Sequence, residues 1–256
     1  MTEGHDAPEG QKRRRGIYLL PNLFTTAAVF SGFYAIVAGM GWRFEPAVQA
    51  IFIAMILDGL DGRVARMTGT QSEFGVQYDS LSDLIAFGLA PSLVMFVWSL
   101  SSLGKLGWLA AFVYTAAAAL RLARFNTQVE VIDKRYFQGL PSPTAAAVLA
   151  GFIWVGESYD IAGGDIAWLA LPLTVIIGAL MVSNIRYKSF KDLDLKGRVP
   201  FVAVLIVVVV FVLISLHPPS VLFGLALLYT LSGPVMTLAH LRKRREERAR
   251  SNAHPD

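Results

Sequence analysis

Two pairs of aspartates, Asp58 with Asp61 and Asp79 with Asp83, stand three and four residues apart at the edges of apolar segments. Residues at these spacings share a helical face. At about 100° per residue, Gly62, Ala65 and Arg66 fall on the same side as Asp58 and Asp61. Ile53, Ile56, Leu60, Val64 and Met67 fall opposite. The same construction places Ser82, Ala86 and Gly75 beside Asp79 and Asp83, provided the second helix extends back to Gly75. The link between the two segments is short, so they run as antiparallel neighbours and the carboxylate pairs meet at one depth.

Four converging carboxylates at the end of an apolar helix pair require a counter-charge, because intramembrane ionisable groups are costly and usually functional. All-oxygen ligands suit Mg²⁺, Mn²⁺ or Ca²⁺. Four carboxylates match two such ions, and ions about 3.5–4 Å apart recur in displacement at phosphorus. Arg66, on the carboxylate face, suits a phosphate. Gly62 and Gly75 remove side chains where a nucleotide would approach backbone. Ordinary helix-end ion pairing with Arg63 or Arg66 explains one Asp–Arg pair well, and four aspartates on two matched faces poorly.

The elements that must position these groups are membrane helices. Only 16% of the 256 residues are charged, against roughly a quarter in soluble domains, and the mean hydropathy is +0.51. A helix needs about 20 residues to cross a bilayer. Candidate spans lie near 20–40, 46–66, 80–100, 107–126, 141–158, 165–184, 199–217 and 219–240, with the fifth the shortest. The fold class is therefore an all-α polytopic membrane bundle of about eight transmembrane helices. With both termini cytoplasmic, all but Arg43 and Lys105 of the 23 Lys and Arg fall on the cytoplasmic side, the asymmetry of the positive-inside rule. The Asp-rich region then faces the cytoplasm. Residues 1–11 read as a disordered tail, 12–240 as the membrane domain, and 241–256 as a charged cytoplasmic tail. Lys12 to Arg15 precede an apolar run and read as an interfacial anchor leading into the first span. The absence of cysteine removes disulfide and thiolate chemistry, and the four histidines are scattered. The pI of about 9.4 follows from basic span flanks, and no nucleic-acid partner is implied.

The run "DGLDGRVARMTGTQSEFGVQYDSLSD", Asp58 to Asp83, carries D-x2-D-G-x2-A-R-x8-G-x3-D-x3-D without departure. On these eight fixed positions the chain resembles the CDP-alcohol phosphotransferase family, and the likeness extends from about residue 12 to 240. "LLPNLFTTAAVFSGFYAI", "RLARFN" at 121–126 and "FQGLPSPTAAA" at 137–147 are similar to the bacterial members that accept serine. The resemblance implies an enzyme of the bacterial inner membrane, with a cytoplasm-facing site, CDP-diacylglycerol as donor, L-serine as acceptor, and a homodimeric state. It implies two divalent cations, Mg²⁺ or Mn²⁺, with Ca²⁺ as a non-native occupant. Asp58, Asp61 and Asp79 would hold the first ion. Asp79 and Asp83, helped by the first pair, would hold or approach the second, and Asp83 would be the general base. Gly62, Ala65, Arg66, Ser72 and Gly75 would hold the donor, although Ser72 serves equally as a helix N-cap.

The serine carboxylate needs a cation, and Arg121, Arg124, Arg186 or Arg198 can supply one. Arg121 and Arg124 share a face near the cytoplasmic end of the fourth span, where positive-inside anchoring is the plainer role, with Asn126 at the same level. "GLPSPT" reads as a re-entry turn, with Ser142 and Thr144 as caps or substrate ligands. Three other readings compete: the same family with glycerol 3-phosphate or inositol phosphate as acceptor, an intramembrane prenyltransferase, and a cation transporter. The fixed Ala, Arg and Gly positions disfavour the prenyltransferase. Transporter sites lie near the midplane on broken helices, and these carboxylates lie at one end beside arginines.

Overall fold

The computed structural model describes residues 10–128, 136–188 and 201–253. The tail before residue 10, and Lys134, Arg135, Lys191, Lys196 and Arg198 of the charge count, lie outside the described residues. The described residues are all-helical apart from one short strand pair. Among the described residues, five segments are long and apolar enough to cross a membrane: Leu20–Met40, Glu73–Trp98, Lys105–Thr127, Gly163–Val182 and Pro218–Thr237.

Helices occur at all eight candidate positions, and three of them lie outside that set. Helix α2 (Phe44–Thr68) has 25 residues but carries Glu45, Asp58, Asp61, Arg63 and Arg66. Helix α6 (Ser142–Ser158) has 17 residues, and the described part of α8 is Phe201–Leu216. Helix α1 (Gly10–Met40) is continuous through Pro21, so the basic run Lys12 to Arg15 lies in the same helix as the first span.

The third span is longer and less regular than its hydropathy indicates. Helix α3 (Glu73–Asp83) starts early because Ser72 caps it, its side chain accepting from Gly75 N. The chain then passes through a π-helical stretch, Leu84–Leu89, into α4 (Ala90–Trp98). Such stretches displace backbone hydrogen bonds and often occur at functional sites. Here the buried Tyr114 hydroxyl, from α5 (Lys105–Gln128), donates to Phe87 O at 3.0 Å. Helix α1 lies tight against this stretch: a Cβ at Gly32 would come within 2.8 Å of Ala86 Cα.

The core sits where α1, α2, α4 and α6 meet and is rich in alanine, including Ala35, Ala47, Ala54, Ala90 and Ala146. Small residues let membrane helices approach closely. Helix α5 packs on α7 (Ala167–Val182), and α9 (Pro218–Ala253) packs on α6. At the end away from the aspartates, Trp98 Nε1 donates to Glu157 at 2.7 Å and Ser99 Oγ donates to Gly163 O at 2.7 Å.

At the aspartate end, strands β1 (Tyr136–Gln138) and β2 (Arg186–Lys188) pair antiparallel, with Phe137 opposite Tyr187. The following turn depends on Gly139, at φ +79°, where a side chain would run into Met181 O. Tyr187 donates to Thr230 O at 3.2 Å and Tyr229 donates to Lys188 O at 3.0 Å, fixing α9 against the strand pair. Sequence reasoning gave no sign of these strands, since three residues are too few for an alternating pattern to emerge.

Candidate active site

Helix α2 brings its apolar outer face and its carboxylate face out as the spacing predicts. Ile53, Ile56, Leu60 and Met67 are exposed, while Asp61 is buried. The loop from α2 to α3 is only residues 69–72, so Asp58 and Asp61 stand opposite Asp79 and Asp83. One carboxylate oxygen from each of Asp58, Asp61 and Asp79 lies within 4.8 Å of the others. Asp58 is also within hydrogen-bonding reach of Asp79 and Asp83. Asp79 Oδ1 and Asp83 Oδ1 are buried and accept no hydrogen bond among the described residues. Buried oxygens without donors are expensive, and here they lie beside further carboxylates. Hard divalent cations prefer such an all-oxygen donor set.

Asp61 is not a helix-end ion pair. Thr25 Oγ1, on α1, donates to its Oδ2 at 2.7 Å, while Arg63 and Arg66 on the same helix are exposed. The α1 contribution was not recognised in the sequence. Its only signal there was a pair of threonines, Thr25 and Thr26, inside an otherwise apolar run. Thr26 pairs with Tyr78 OH at 2.8 Å, and Ser82 Oγ donates to Thr25 O at 3.3 Å, so α1 also grips α3.

The residues expected to hold the donor lie on α2 (Gly62, Ala65 and Arg66) and at the start of α3 (Ser72 and Gly75). A Cβ at Gly62 would meet only Arg66 Nη1, at 4.0 Å, so the backbone there is accessible. Ala65 follows on the same helix and is half-buried. Gly75 is more confined, with Ser72 Oγ at 3.2 Å and Asn22 Oδ1 at 3.8 Å from the place of a Cβ. Ser72 accepts from Gly75 N at 3.0 Å as the α3 cap. That bond uses part of its hydroxyl's capacity and leaves the O–H as a donor.

Of the residues suggested for the acceptor, Arg198 lies outside the described residues, Arg186 is exposed on β2, and Arg121, Arg124 and Asn126 separate. Arg121 turns toward the carboxylates: its charge interacts with Asp83, and its Nη1 donates to Ser142 Oγ at 2.7 Å. Its Nε is buried with no hydrogen-bond partner among the described residues. Arg124, one turn further along, donates to Asn184 Oδ1 at 2.7 Å and Val182 O at 3.4 Å, tying α5 to the chain after α7. Asn126 Nδ2 donates to Ser80 Oγ at 3.0 Å and links α5 to α3. Ser142 makes no capping bond to α6 and is fully buried as the Arg121 partner.

The sequence profile of the CDP-alcohol phosphatidyltransferase family matches residues 18–180. A CDP-diacylglycerol–serine O-phosphatidyltransferase of Helicobacter pylori is 39% identical over 213 residues, covering 83% of this chain and 90% of the relative. A protein of the same name from Methanocaldococcus jannaschii is 33% identical over 178 residues, covering 70% and 78%. One from Mycobacterium leprae is 28% identical over 223 residues, covering 85% and 74%. The matched span runs from α1 to α7 and contains both carboxylate pairs together with Thr25, Arg121 and Ser142. The chain belongs to the CDP-alcohol phosphatidyltransferase family.

Proposed function

We propose that the chain transfers the phosphatidyl group of CDP-diacylglycerol to the hydroxyl of L-serine, releasing CMP and phosphatidylserine. The observation that carries this reading is the convergence of Asp58, Asp61 and Asp79, with the unpartnered oxygens of Asp79 and Asp83 beside them. The names of the relatives support serine as the acceptor.

The residues fit two divalent cations. Asp58, Asp61 and Asp79 would hold one, and Asp79 and Asp83, helped by the first pair, the other. Mg²⁺ and Mn²⁺ suit this donor set. Bound there, the ions would neutralise the diphosphate and polarise the phosphoryl oxygens.

The protein's own groups do the rest. Arg66 binds a diphosphate oxygen from the exposed side, with Gly62, Ala65, Ser72 and Gly75 forming the surface on which the CDP moiety rests. Arg121 receives the serine carboxylate through the edge of its guanidinium that Ser142 does not engage. That places the serine hydroxyl beside Asp83, which accepts its proton as the oxygen attacks the phosphatidyl phosphorus. The new P–O bond forms as the bond to CMP breaks, and Arg66 stabilises the charge left on CMP. Arg124 and Asn126 act on Arg121 by holding α5 in place.

The basic asymmetry supports eight crossings with both termini in the cytoplasm and the site at the cytoplasmic face of the bacterial inner membrane. Within this reading residues 1–11 and 241–256 are tails flanking one membrane domain, and the assembly is a homodimer.

The test is an acceptor panel with purified protein and CDP-diacylglycerol. Serine should give phosphatidylserine, and glycerol 3-phosphate and inositol phosphate should give no lipid product. A phosphorylated acceptor used in preference to serine would overturn the acceptor assignment and leave the donor chemistry standing.

A further inference from the structure

Thr25, on α1, makes hydrogen bonds to both carboxylate helices. Its hydroxyl lies 2.7 Å from Asp61 Oδ2 and 3.1 Å from Pro21 O, within its own helix. A hydroxyl has a single hydrogen, and the shorter contact, to a carboxylate, is the stronger acceptor. The backbone oxygen of the same residue accepts from Ser82 Oγ at 3.3 Å, next to Asp83. Both Thr25 and Ser82 are buried. One residue of α1 therefore holds Asp61 by its side chain and α3 by its carbonyl.

We infer that Thr25 is a positioning residue that fixes the Asp61 carboxylate in the orientation needed to bind a divalent cation together with Asp58 and Asp79. The inference rests on the metal reading above. An aspartate has two soft torsions, and Asp61 shares its space with two other carboxylates that repel it. A buried donor on one oxygen restrains those torsions and compensates part of the repulsion. Without the hydroxyl, Oδ2 has lost its donor and the carboxylate must reorient at each binding event. Hydrogen bonds to metal-ligating groups of this kind change metal affinity by about 10–100-fold.

The experiment is a Mn²⁺ titration of the purified full-length protein in lipid nanodiscs, following the magnetic resonance signal of free Mn²⁺. Thr25→Val keeps the shape and removes the hydroxyl. Thr25→Ser and Thr25→Ala form a second pair that differs from each other only by the hydroxyl, which keeps the test open should Val fail to fold. Thr25→Ser should bind Mn²⁺ within about threefold of wild type, and Thr25→Val and Thr25→Ala about 10–100-fold more weakly. The metal-free melting temperatures of Ser and Ala should be similar, which separates positioning from general stability. Equal Mn²⁺ affinity for Ser and Ala, with wild type binding normally, would overturn the role of Thr25 and leave the metal site intact. Wild-type protein that takes up no Mn²⁺ would overturn both.

Discussion

The Arg121 guanidinium reaches from α5 to Ser142 Oγ at 2.7 Å while its charge faces Asp83. A buried cation whose Nε has no partner among the described residues, next to the carboxylate proposed as base, is a suitable seat for an amino-acid carboxylate. Arg121→Lys keeps the charge and loses the planar fork. It should raise the KM for serine about tenfold or more, with little effect on donor affinity. Ser142→Ala should produce a smaller rise in the same constant, since it loosens Arg121 without removing it. Steady-state kinetics with serine and donor varied separately distinguish these effects.

Chelation should stop the reaction. Without divalent ions, the carboxylates of Asp58, Asp61, Asp79 and Asp83 would face a diphosphate of the same sign. EDTA should abolish turnover, and Mg²⁺ or Mn²⁺ should restore it. Full turnover in chelator would contradict the reading of the carboxylate cluster.

Asp83 and Arg66 should fail in different ways. Asp83→Asn cannot accept the serine proton, and loss of a general base costs about 10²–10⁴ in rate. Asp58, Asp61 and Asp79 remain in that variant, so donor affinity should stay within a few-fold of wild type. Arg66→Ala removes the proposed charged phosphate contact, which would be worth about 1.5–3 kcal/mol, or about 10–150-fold in donor affinity. Donor binding and single-turnover rate, measured for both variants, check the division. An Asp83→Asn protein that no longer binds donor would make Asp83 chiefly a metal ligand.

Cysteine labelling tests the membrane arrangement, and the natural chain has no cysteine to interfere. Gly4→Cys and Asn252→Cys should react only when the cytoplasmic side is opened. Gly164→Cys should react from outside, because Gly164 is exposed with no neighbour within 4 Å of a Cβ. The adjacent Gly163 is unsuitable, since a side chain there would strike Trp98. Termini on opposite sides would mean an odd number of crossings.

The carboxylate faces were legible because helical period alone determines them. Ile53, Ile56, Leu60 and Met67 turn outward while Asp58 and Asp61 turn toward α3. The approximate positions of the apolar helices were legible from hydropathy, while the early start of α3 at Glu73 was not. What escaped were contacts between elements far apart in sequence. Thr25 and Asp61 are separated by 36 positions and Arg121 and Ser142 by 21, and nothing local marks either pair. The divergence of Arg121 from Arg124 was also hidden. Both lie on one side of α5, yet their long side chains take different partners, Ser142 and Asn184. The π-helical stretch after Asp83 depends on the close approach of Gly32 and the donor hydroxyl of Tyr114, both supplied by other helices.

The most direct measurement is CMP release by purified protein given CDP-diacylglycerol, Mg²⁺ or Mn²⁺, and serine, repeated with Asp58→Asn, Asp61→Asn and Asp79→Asn. Wild type should release CMP in step with phosphatidylserine and only when serine is present. Each variant should insert normally and lose nearly all turnover. CMP release that ignores serine, or a variant that turns over like wild type, would contradict the account.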